Sequence, residues 1–116
     1  MTSVGCGDTI GAIPTEVYRA LEEALEAKGK AERDLKLYTN LDWTIIRPGG
    51  LKTADPTGEA VLTEDIMASG SITREDVASL ILQALAAKGT CTRRELTAVD
   101  PTQDKADKVH YVPFKL

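Results

Sequence analysis

The spacing of apolar residues predicts one long helix in the first third of the chain. From Pro14 or Thr15 to about Tyr38, apolar side chains recur at intervals of three and four residues, which places them on one helical face. The members of this predicted face are Val17, Leu21, Ala24, Lys28, Ala31 and Leu35. Lys28 is therefore a cation inside an apolar stripe.

Short apolar and β-branched runs predict strands on both sides of this helix. Met1–Val4 has the character of a strand end, and a glycine-rich loop follows it. The run DWTIIRPGG predicts a buried strand that stops at Pro48-Gly49-Gly50. Further strands are predicted at Ala60–Thr63 and Arg93–Asp100.

The run SITREDVASLILQALAAKG predicts a second helix with recognisable ends. Thr73 is the predicted N-cap because Asp76 follows three residues later, and Gly89 is placed to close the C-terminus. Its apolar face consists of Val77, Leu80, Ile81, Ala84 and Leu85. Helices that alternate with short strands predict an α/β fold with a parallel sheet.

The glycines of the stretch SVGCGDTIGA raise the question of a dinucleotide-binding loop. That loop has the spacing G-x-G-x-x-G between a strand and a helix, whereas Gly5, Gly7 and Gly11 are spaced one residue too far. Only Met1–Val4 precede them, which is short for a complete strand. Pro14 delays any helix until after the glycines. We therefore favour a strand end followed by a loop.

The composition is that of a small globular domain and excludes several partners. The chain has 116 residues, of which 42% are hydrophobic and 28% charged, with a net charge of −4. Its 14 basic residues form no patch, so nucleic acid and anionic membranes are poor partners. No apolar run reaches transmembrane length, and the N-terminus lacks the features of a signal peptide.

The cysteines predict free thiols rather than a metal site. Cys6 and Cys91 are far apart in sequence, and His110 is the only histidine, so no zinc site is expected. Two free thiols are typical of a reducing compartment. Residues 101–108 form a predicted polar linker, and the apolar tail VHYVPFKL is expected to dock on the fold.

Two positions have both a structural and a ligand-binding interpretation. Lys28 either extends its stem along the apolar stripe to reach water or directs its ammonium at a polar ligand in a crevice. The glycines of IIRPGG form either a plain turn or a point where backbone closely approaches a planar ligand. Ser3 lies at the carboxyl end of a strand, where ligands of open α/β sheets bind.

Four stretches together resemble one family. TSVG, AKGKAERDL, DWTIIRPGGL and GSITREDVASLILQAL are similar to the atypical short-chain dehydrogenase/reductases, in particular to their NAD(P)-binding, NmrA-like branch. The resemblance covers about Thr2 to Asp100. It implies the C-terminal half of a Rossmann-like parallel sheet with flanking helices in residues 1–100, followed by the linker and tail of residues 101–116.

The resemblance also implies roles for particular residues. Ser3 corresponds to the active-site serine of the family, and Lys28 to the lysine that binds the nicotinamide ribose. Arg47, Pro48, Gly49 and Gly50 correspond to a loop that packs against the nicotinamide of NADP or NAD. The cofactor-binding residues are therefore expected to be Lys28 and Arg47 to Gly50.

Two departures from the family pattern bear on activity. The tyrosine that catalytic members carry four residues before the lysine is replaced by Ala24, so the usual proton donor is missing. The glycine loop and the strands before it are absent from these 116 residues. Weak or no cofactor binding by the isolated chain is therefore expected.

These observations leave three functional hypotheses. The first is a truncated domain that acts mainly as a binding or structural subunit, since a half-sheet exposes strand edges and apolar faces. The partner would be the missing N-terminal half, a second copy or a larger complex. The second is an NAD(P)H-dependent oxidoreductase whose N-terminal half is supplied separately. The third is an unrelated α/β regulatory domain. The cytoplasm or the plastid stroma is the expected location.

Overall fold

Two α-helices and five short strands make up the part of the chain that the computed structural model describes, residues 1–103 and 111–116. The helices are α1 (Thr15–Lys36) and α2 (Arg74–Ala86). The strands are β1 (Ile45–Pro48), β2 (Gly50–Lys52), β3 (Val61–Thr63), β4 (Ser71–Thr73) and β5 (Glu95–Val99). A 3₁₀ helix covers Gly7–Ala12. Most of the predicted linker, together with His110, lies outside the described residues.

The main sheet has the order β1-β5-β3. Strands β1 and β5 are parallel with Ile46 opposite Leu96, whereas β3 is antiparallel to β5. Met1–Val4 extends the sheet beyond β1 through two backbone hydrogen bonds, from Thr2 N to Ile46 O (2.9 Å) and from Val4 N to Pro48 O (3.0 Å). The predicted strand end at the start of the chain therefore lies at the open border of the sheet.

The second sheet was not predicted as such. Strands β2 and β4 pair in parallel, with Leu51 opposite Ile72. Each has three residues, too short for an alternating pattern to be recognised. The β1 strand also includes Pro48, so the predicted Pro-Gly-Gly loop is reduced to the single residue Gly49 between two strands.

The main hydrophobic core lies between the sheet and α2. It contains Ile46, Leu62, Ile72, Val77, Leu80, Cys91, Leu96 and Ala98. Because neighbouring strand residues point to opposite faces, the residues on either side of Ile46 belong to the other face, which α1 covers. The two helices thus flank the sheet, and the α/β architecture predicted from the sequence is confirmed.

The predicted apolar face of α1 is wrong. The buried positions of this helix are Leu25, Gly29 and Glu32, whereas Val17 and Leu21 are 42% and 49% exposed. Glu32 enters the buried face because Arg47 pairs with it there. The stripe that includes Lys28 forms a second, uncovered side of the helix.

The predicted ends of the second helix are partly confirmed. The Thr73 hydroxyl accepts a hydrogen bond from Asp76 N (3.0 Å), which is the expected N-cap contact. The helix ends at Ala86, before Gly89, which adopts a positive φ of 90° in the following turn. Within residues 1–103 and 111–116, neither helix has the length and apolarity needed to cross a membrane.

The described part of the C-terminal tail docks as predicted. Phe114 packs against the main core, and its backbone N–H donates to Leu62 O of β3 (2.7 Å). The Tyr111 hydroxyl donates to Ser69 O (3.0 Å) and accepts from Ser69 N (3.3 Å). The tail therefore covers the outer edge of β3, on the opposite side of the sheet from Met1–Val4.

Candidate functional site

Of the predicted site residues, Ser3 and Gly49 lie at the carboxyl ends of parallel segments, whereas Lys28 is on α1 and Arg47 is inside β1. Ser3 and Val4 end the first segment, Gly49 follows β1, and Asp100 follows β5. The Ser3 side chain is half-buried, and its hydroxyl donates to Val4 O at 3.0 Å. A hydroxyl engaged only with its neighbouring carbonyl retains lone pairs for a ligand. The catalytic role of Ser3 stays a prediction.

Lys28 is exposed and close enough to the glycine loop to influence it electrostatically. Within residues 1–103 and 111–116, it forms no ion pair. Burial and the Glu32 carboxylate raise the pKa of the Cys6 thiol, while the Arg47 and Lys28 charges act in the opposite direction. Lys28 is therefore an exposed cation near the loop that follows Met1–Val4, and its role in cofactor binding stays a prediction.

One side of α1 borders a groove, and Lys28 lies on the other side. A groove of about 650 Å³ separates α1 from the glycine loop, and Cys6, Leu25, Lys30 and Arg33 are among its lining residues. Lys28 and Lys30 are two residues apart, which is a rotation of about 200° around the helix. The Lys28 side chain therefore points away from this groove, which Lys30 lines. The groove therefore does not include the predicted cofactor lysine.

Arg47 requires a correction. It lies inside strand β1 rather than in a loop, and its side chain is only 2% exposed. Its Nε and Nη2 donate to the Glu32 carboxylate at 2.9 and 2.7 Å, and Nη2 also donates to Glu95 at 2.7 Å. Burial disfavours the charged form, yet the bonds and charges of Glu32 and Glu95 raise the pKa of Arg47. The side chain is therefore committed to an internal ion pair.

The glycines after Arg47 have a structural explanation of their own. A Cβ on Gly49 would lie 2.1 Å from the carbonyl oxygen of Gly70, so no side chain fits there. Gly50 N donates to the same oxygen at 2.7 Å. Pro48 is buried in β1, whereas Gly50 is exposed. Contact of Pro48, Gly49 and Gly50 with a cofactor stays a prediction, and Gly50 is the member accessible to one.

The glycines of SVGCGDTIGA pack against protein atoms. Gly5 has a φ of 102°, and a Cβ there would lie 2.9 Å from Ile13 Cδ1. Gly7 has a φ of 51°, and a Cβ would lie 2.6 Å from Arg47 Nη2. Both positions combine a left-handed backbone with a close approach, which only glycine satisfies without strain. This loop is consequently built to cover α1 and the ion pair.

The family resemblance matches Glu32 to a glutamate four residues after the lysine, but sequence reasoning assigned no role to Glu32 or Glu95. Glu32 is 3% exposed, and Glu95 is partly buried and paired with both Arg47 and Lys36. Burial opposes ionisation of Glu95, but the bonds to Lys36 and Arg47 lower its pKa. The signal for Glu32 is its spacing of three and seven residues from Gly29 and Leu25, on the same face of the helix.

A second carboxylate cluster fixes the loop after β2. Asp76 accepts hydrogen bonds from Thr57 N (2.9 Å), Gly58 N (3.1 Å) and the Thr73 hydroxyl (2.7 Å). The Thr57 backbone bond is the largest contribution that lowers the pKa of Asp76, and burial opposes it. The Thr57 hydroxyl also bonds to Asp100 at the end of β5. The loop is thereby held against the carboxyl ends of the strands.

The sequence matches the profile of a family described as NAD(P)H-binding over residues 1–88. The chain belongs to the NAD(P)H-binding family. Within it, the chain has the atypical short-chain dehydrogenase/reductase type of fold, as the sequence resemblance predicts. A nicotinamide cofactor is thus the ligand of this family.

A chloroplast protein of Arabidopsis thaliana whose function is uncharacterised is 45% identical to this NAD(P)H-binding chain over 83 residues. The match covers 68% of this chain and 29% of that protein. ChuY, an anaerobillin reductase from Escherichia coli O157:H7, superimposes with a TM-score of 0.81 at 30% identity. That superposition covers 90% of this chain and 50% of ChuY.

A short-chain dehydrogenase/reductase from Veillonella parvula, solved with NADP, shares the fold at a TM-score of 0.64 and 18% identity. That superposition covers 88% of this chain and 49% of the Veillonella parvula chain. The NAD(P)H-binding chain thus spans about half of these solved structures and less than a third of the Arabidopsis relative.

Proposed function

We propose that these 116 residues form the nicotinamide-side half of an NAD(P)H-dependent oxidoreductase domain. The observation that carries the proposal is the exposed Lys28, which forms no ion pair within residues 1–103 and 111–116, on the helix whose Glu32 bonds to Thr2 at the open sheet border. Lys28 would donate hydrogen bonds to the ribose hydroxyls of the cofactor, and Ser3 would offer its hydroxyl to the substrate. A bound nicotinamide supplies or accepts the hydride.

The pyrophosphate-binding element has to come from residues outside this sequence. The 116 residues contain no G-x-G-x-x-G stretch, and the glycines that come nearest to it are engaged with Ile13 and Arg47. Most dinucleotide affinity in this fold comes from the pyrophosphate at a helix N-terminus. We therefore infer that this half binds NADP or NAD weakly or not at all by itself.

The partner we propose is the half of the same fold that carries the phosphate loop, whether in the same polypeptide or in a separate chain. The outer edge of Met1–Val4 has no pairing strand among the described residues. Relatives of twice this length support a continuation of the sheet.

Both faces of the sheet carry apolar surface next to that edge. On one face, α1 leaves Val17 and Leu21 exposed on the side away from its groove. On the other face, Met1 is 70% exposed beside Ile81 and Leu85 of α2, with small apolar hollows between them. A strand with one helix on each face would cover all three surfaces at once.

A structural or binding role without catalysis is the second candidate. Ala24 stands where the proton-donating tyrosine of the family would be, which leaves that position without a hydroxyl. A chain of this kind would bind cofactor in the completed domain but transfer no hydride. For location, we propose the plastid stroma or the cytoplasm, and the chloroplast relative supports the first.

The test compares two proteins. One is the 116-residue chain, and the other is a chimera in which the part of ChuY that precedes the matched region is placed before Met1. Titration calorimetry with NADPH should give micromolar binding for the chimera and little heat for the chain alone. A chimera that folds but does not bind NADPH would refute the cofactor role. For a chimera that binds NADPH, an assay of hydride transfer to an acceptor would separate the oxidoreductase from the structural candidate.

A further inference from the structure

We propose that the Glu32–Arg47 ion pair is a positioning device that sets the location of Lys28 relative to Ser3. The inference rests on the proposed function, because it assigns those two residues to one site. It adds a role for two side chains that touch neither cofactor nor substrate. Glu32 and Arg47 are positioning residues in this sense.

The pair joins the helix to the sheet by three hydrogen bonds at one carboxylate. Arg47 Nε and the Thr2 hydroxyl both donate to Glu32 Oε2, at 2.9 and 2.5 Å. Arg47 Nη2 donates to Glu32 Oε1 at 2.7 Å. A bidentate arginine–carboxylate pair fixes orientation as well as distance. The rotation of α1 about its own axis is therefore tied to two neighbouring segments of the sheet.

A second attachment lies one helical turn further along. Arg47 Nη2 also donates to Glu95 of β5, and Lys36 Nζ donates to the same Glu95 oxygen at 2.7 Å. Helix α1 is thus connected through Glu32 and Lys36 to β1, β5 and the Met1–Val4 segment. Two attachments on one helix restrict both its rotation and its sliding along the sheet.

The pair is sealed from water by the loop above it. Gly7 approaches so closely that a Cβ would lie 2.6 Å from Arg47 Nη2 and 3.0 Å from Glu32 Oε1. The two charged side chains are 2% and 3% exposed. Desolvation makes such a pair a poor source of stability, since apolar residues of similar volume often hold a fold equally well. Orientation is the property that an apolar replacement would lose.

The geometry connects the pair directly to the predicted site residues. Lys28 precedes Glu32 by four residues, which is about 6 Å along the helix and about 40° around its axis. Thr2, which donates to the same Glu32 oxygen as Arg47 Nε, is the immediate neighbour of Ser3. The same carboxylate therefore fixes the helical turn that carries the lysine and the strand end that carries the hydroxyl.

The first test measures NADPH affinity of the chimera separately from its stability. The double variant Glu32→Leu/Arg47→Met should keep a cooperative unfolding transition, yet its dissociation constant for NADPH should rise roughly tenfold or more. Glu32→Gln, which keeps the shape and one set of hydrogen bonds, should show a smaller rise. Glu64→Gln removes an exposed carboxylate 3.7 Å from Arg94 and serves as the control. Unchanged affinity in a folded double variant would overturn the proposal.

The second test needs no cofactor and uses the 116-residue chain. Spin labels are attached at Lys28→Cys and at Gln83→Cys on α2, both exposed positions, while Cys6 and Cys91 are each only 2% exposed and remain unlabelled. The distance distribution should be narrow in the parent and shifted or broadened in the double variant. Identical distributions would refute positioning. A parent chimera that fails to bind NADPH would instead refute the proposed function, and this distance measurement would still decide the role of the pair.

Discussion

Gly49 and Gly70 are in backbone contact, and the contact leaves no room for a side chain at Gly49. A Cβ there would lie 2.1 Å from the Gly70 carbonyl oxygen and 3.3 Å from Val99 Cγ1. This contact brings β1, β4 and β5 together where the two sheets meet. The glycine that the sequence assigned to a ligand-binding loop therefore has a demonstrable packing role.

Gly49→Ala should destabilise the chain by about 1–3 kcal/mol, because the backbone at Gly70 has to move. Gly50→Ala is the matched control, since its nearest neighbours lie 3.7 and 3.8 Å from a Cβ. Urea unfolding of both variants against the parent measures the difference. Equal stability of the two variants would mean that Gly70 yields without cost.

Thr73→Ala should cost about 1 kcal/mol of unfolding free energy through loss of the N-cap of α2. The hydroxyl accepts from Asp76 N and also donates to the Asp76 carboxylate, so both contacts disappear together. Thr73→Ser should recover most of the loss. Ser79→Ala, an exposed position within the same helix, is the control and should be close to neutral. An unchanged midpoint for Thr73→Ala would show that the helix does not depend on this cap.

Stability should fall when the solution is acidified below about pH 4, the ordinary range of carboxyl groups. The pKa of Asp76 is lowered by the Thr57 and Gly58 amides and the Thr73 hydroxyl, and that of Glu95 by Lys36 and Arg47. A lowered folded pKa means that the unfolded chain binds more protons, so the stabilisation is complete above that range and is lost as the pH falls through the folded values.

Asp76→Asn should therefore lower the stability at pH 7 and flatten its dependence on acid. Unfolding free energies measured between pH 7 and pH 3 for the parent and the variant test this. A variant with the parent's acid dependence would assign the proton uptake to other groups.

Lys28→Met should weaken NADPH binding of the chimera by roughly 1.5–3 kcal/mol, the usual value of hydrogen bonds to a charged group. Methionine keeps the apolar stem, so folding should be nearly intact. Lys30→Met removes an exposed cation from the opposite side of the same helix and should leave the affinity unchanged. Equal affinities of both variants and the parent would assign Lys28 to solvent contact alone.

Phe114→Ala should destabilise the chain by about 2 kcal/mol, less than a fully buried phenylalanine, because Phe114 is only partly buried. Val112→Ala, at a side chain 83% exposed, is the control two residues away. Hydrogen exchange of β3 should also accelerate in the first variant, since Leu62 loses its covering segment. Normal protection of β3 would show that the backbone bond alone keeps the tail in place.

Local signals in the sequence predicted the helices and most of the strands well. The cap at Thr73, the break at Pro14 and the β-branched runs all act within a few residues, so their structural effect is visible in the pattern, whereas the predicted Pro-Gly-Gly break is confirmed only at Gly49. The α/β class follows from their order. The expectation of a half-domain came from the family resemblance and stays a prediction.

The site was less predictable, because its decisive contacts join distant parts of the chain. Arg47 pairs with Glu32 and Glu95, which are 15 and 48 residues away, and no local spacing reveals such pairs. Helix α1 has a charged residue on its buried face and an apolar stripe that is left uncovered. This is the reverse of the usual amphipathic pattern. For α1, the tertiary partner rather than hydropathy decided which side is inside.

The docked tail gives the two borders of the sheet different capacities for growth. Phe114 N occupies the Leu62 carbonyl at the β3 border, whereas the outer edge of Met1–Val4 has no strand beside it among the described residues. In the language of polymer chemistry, one end of the sheet is terminated and the other is reactive. A strand that pairs with Met1–Val4 is therefore added once and leaves no second open border. Continued strand-by-strand growth into a fibre is blocked at the β3 border.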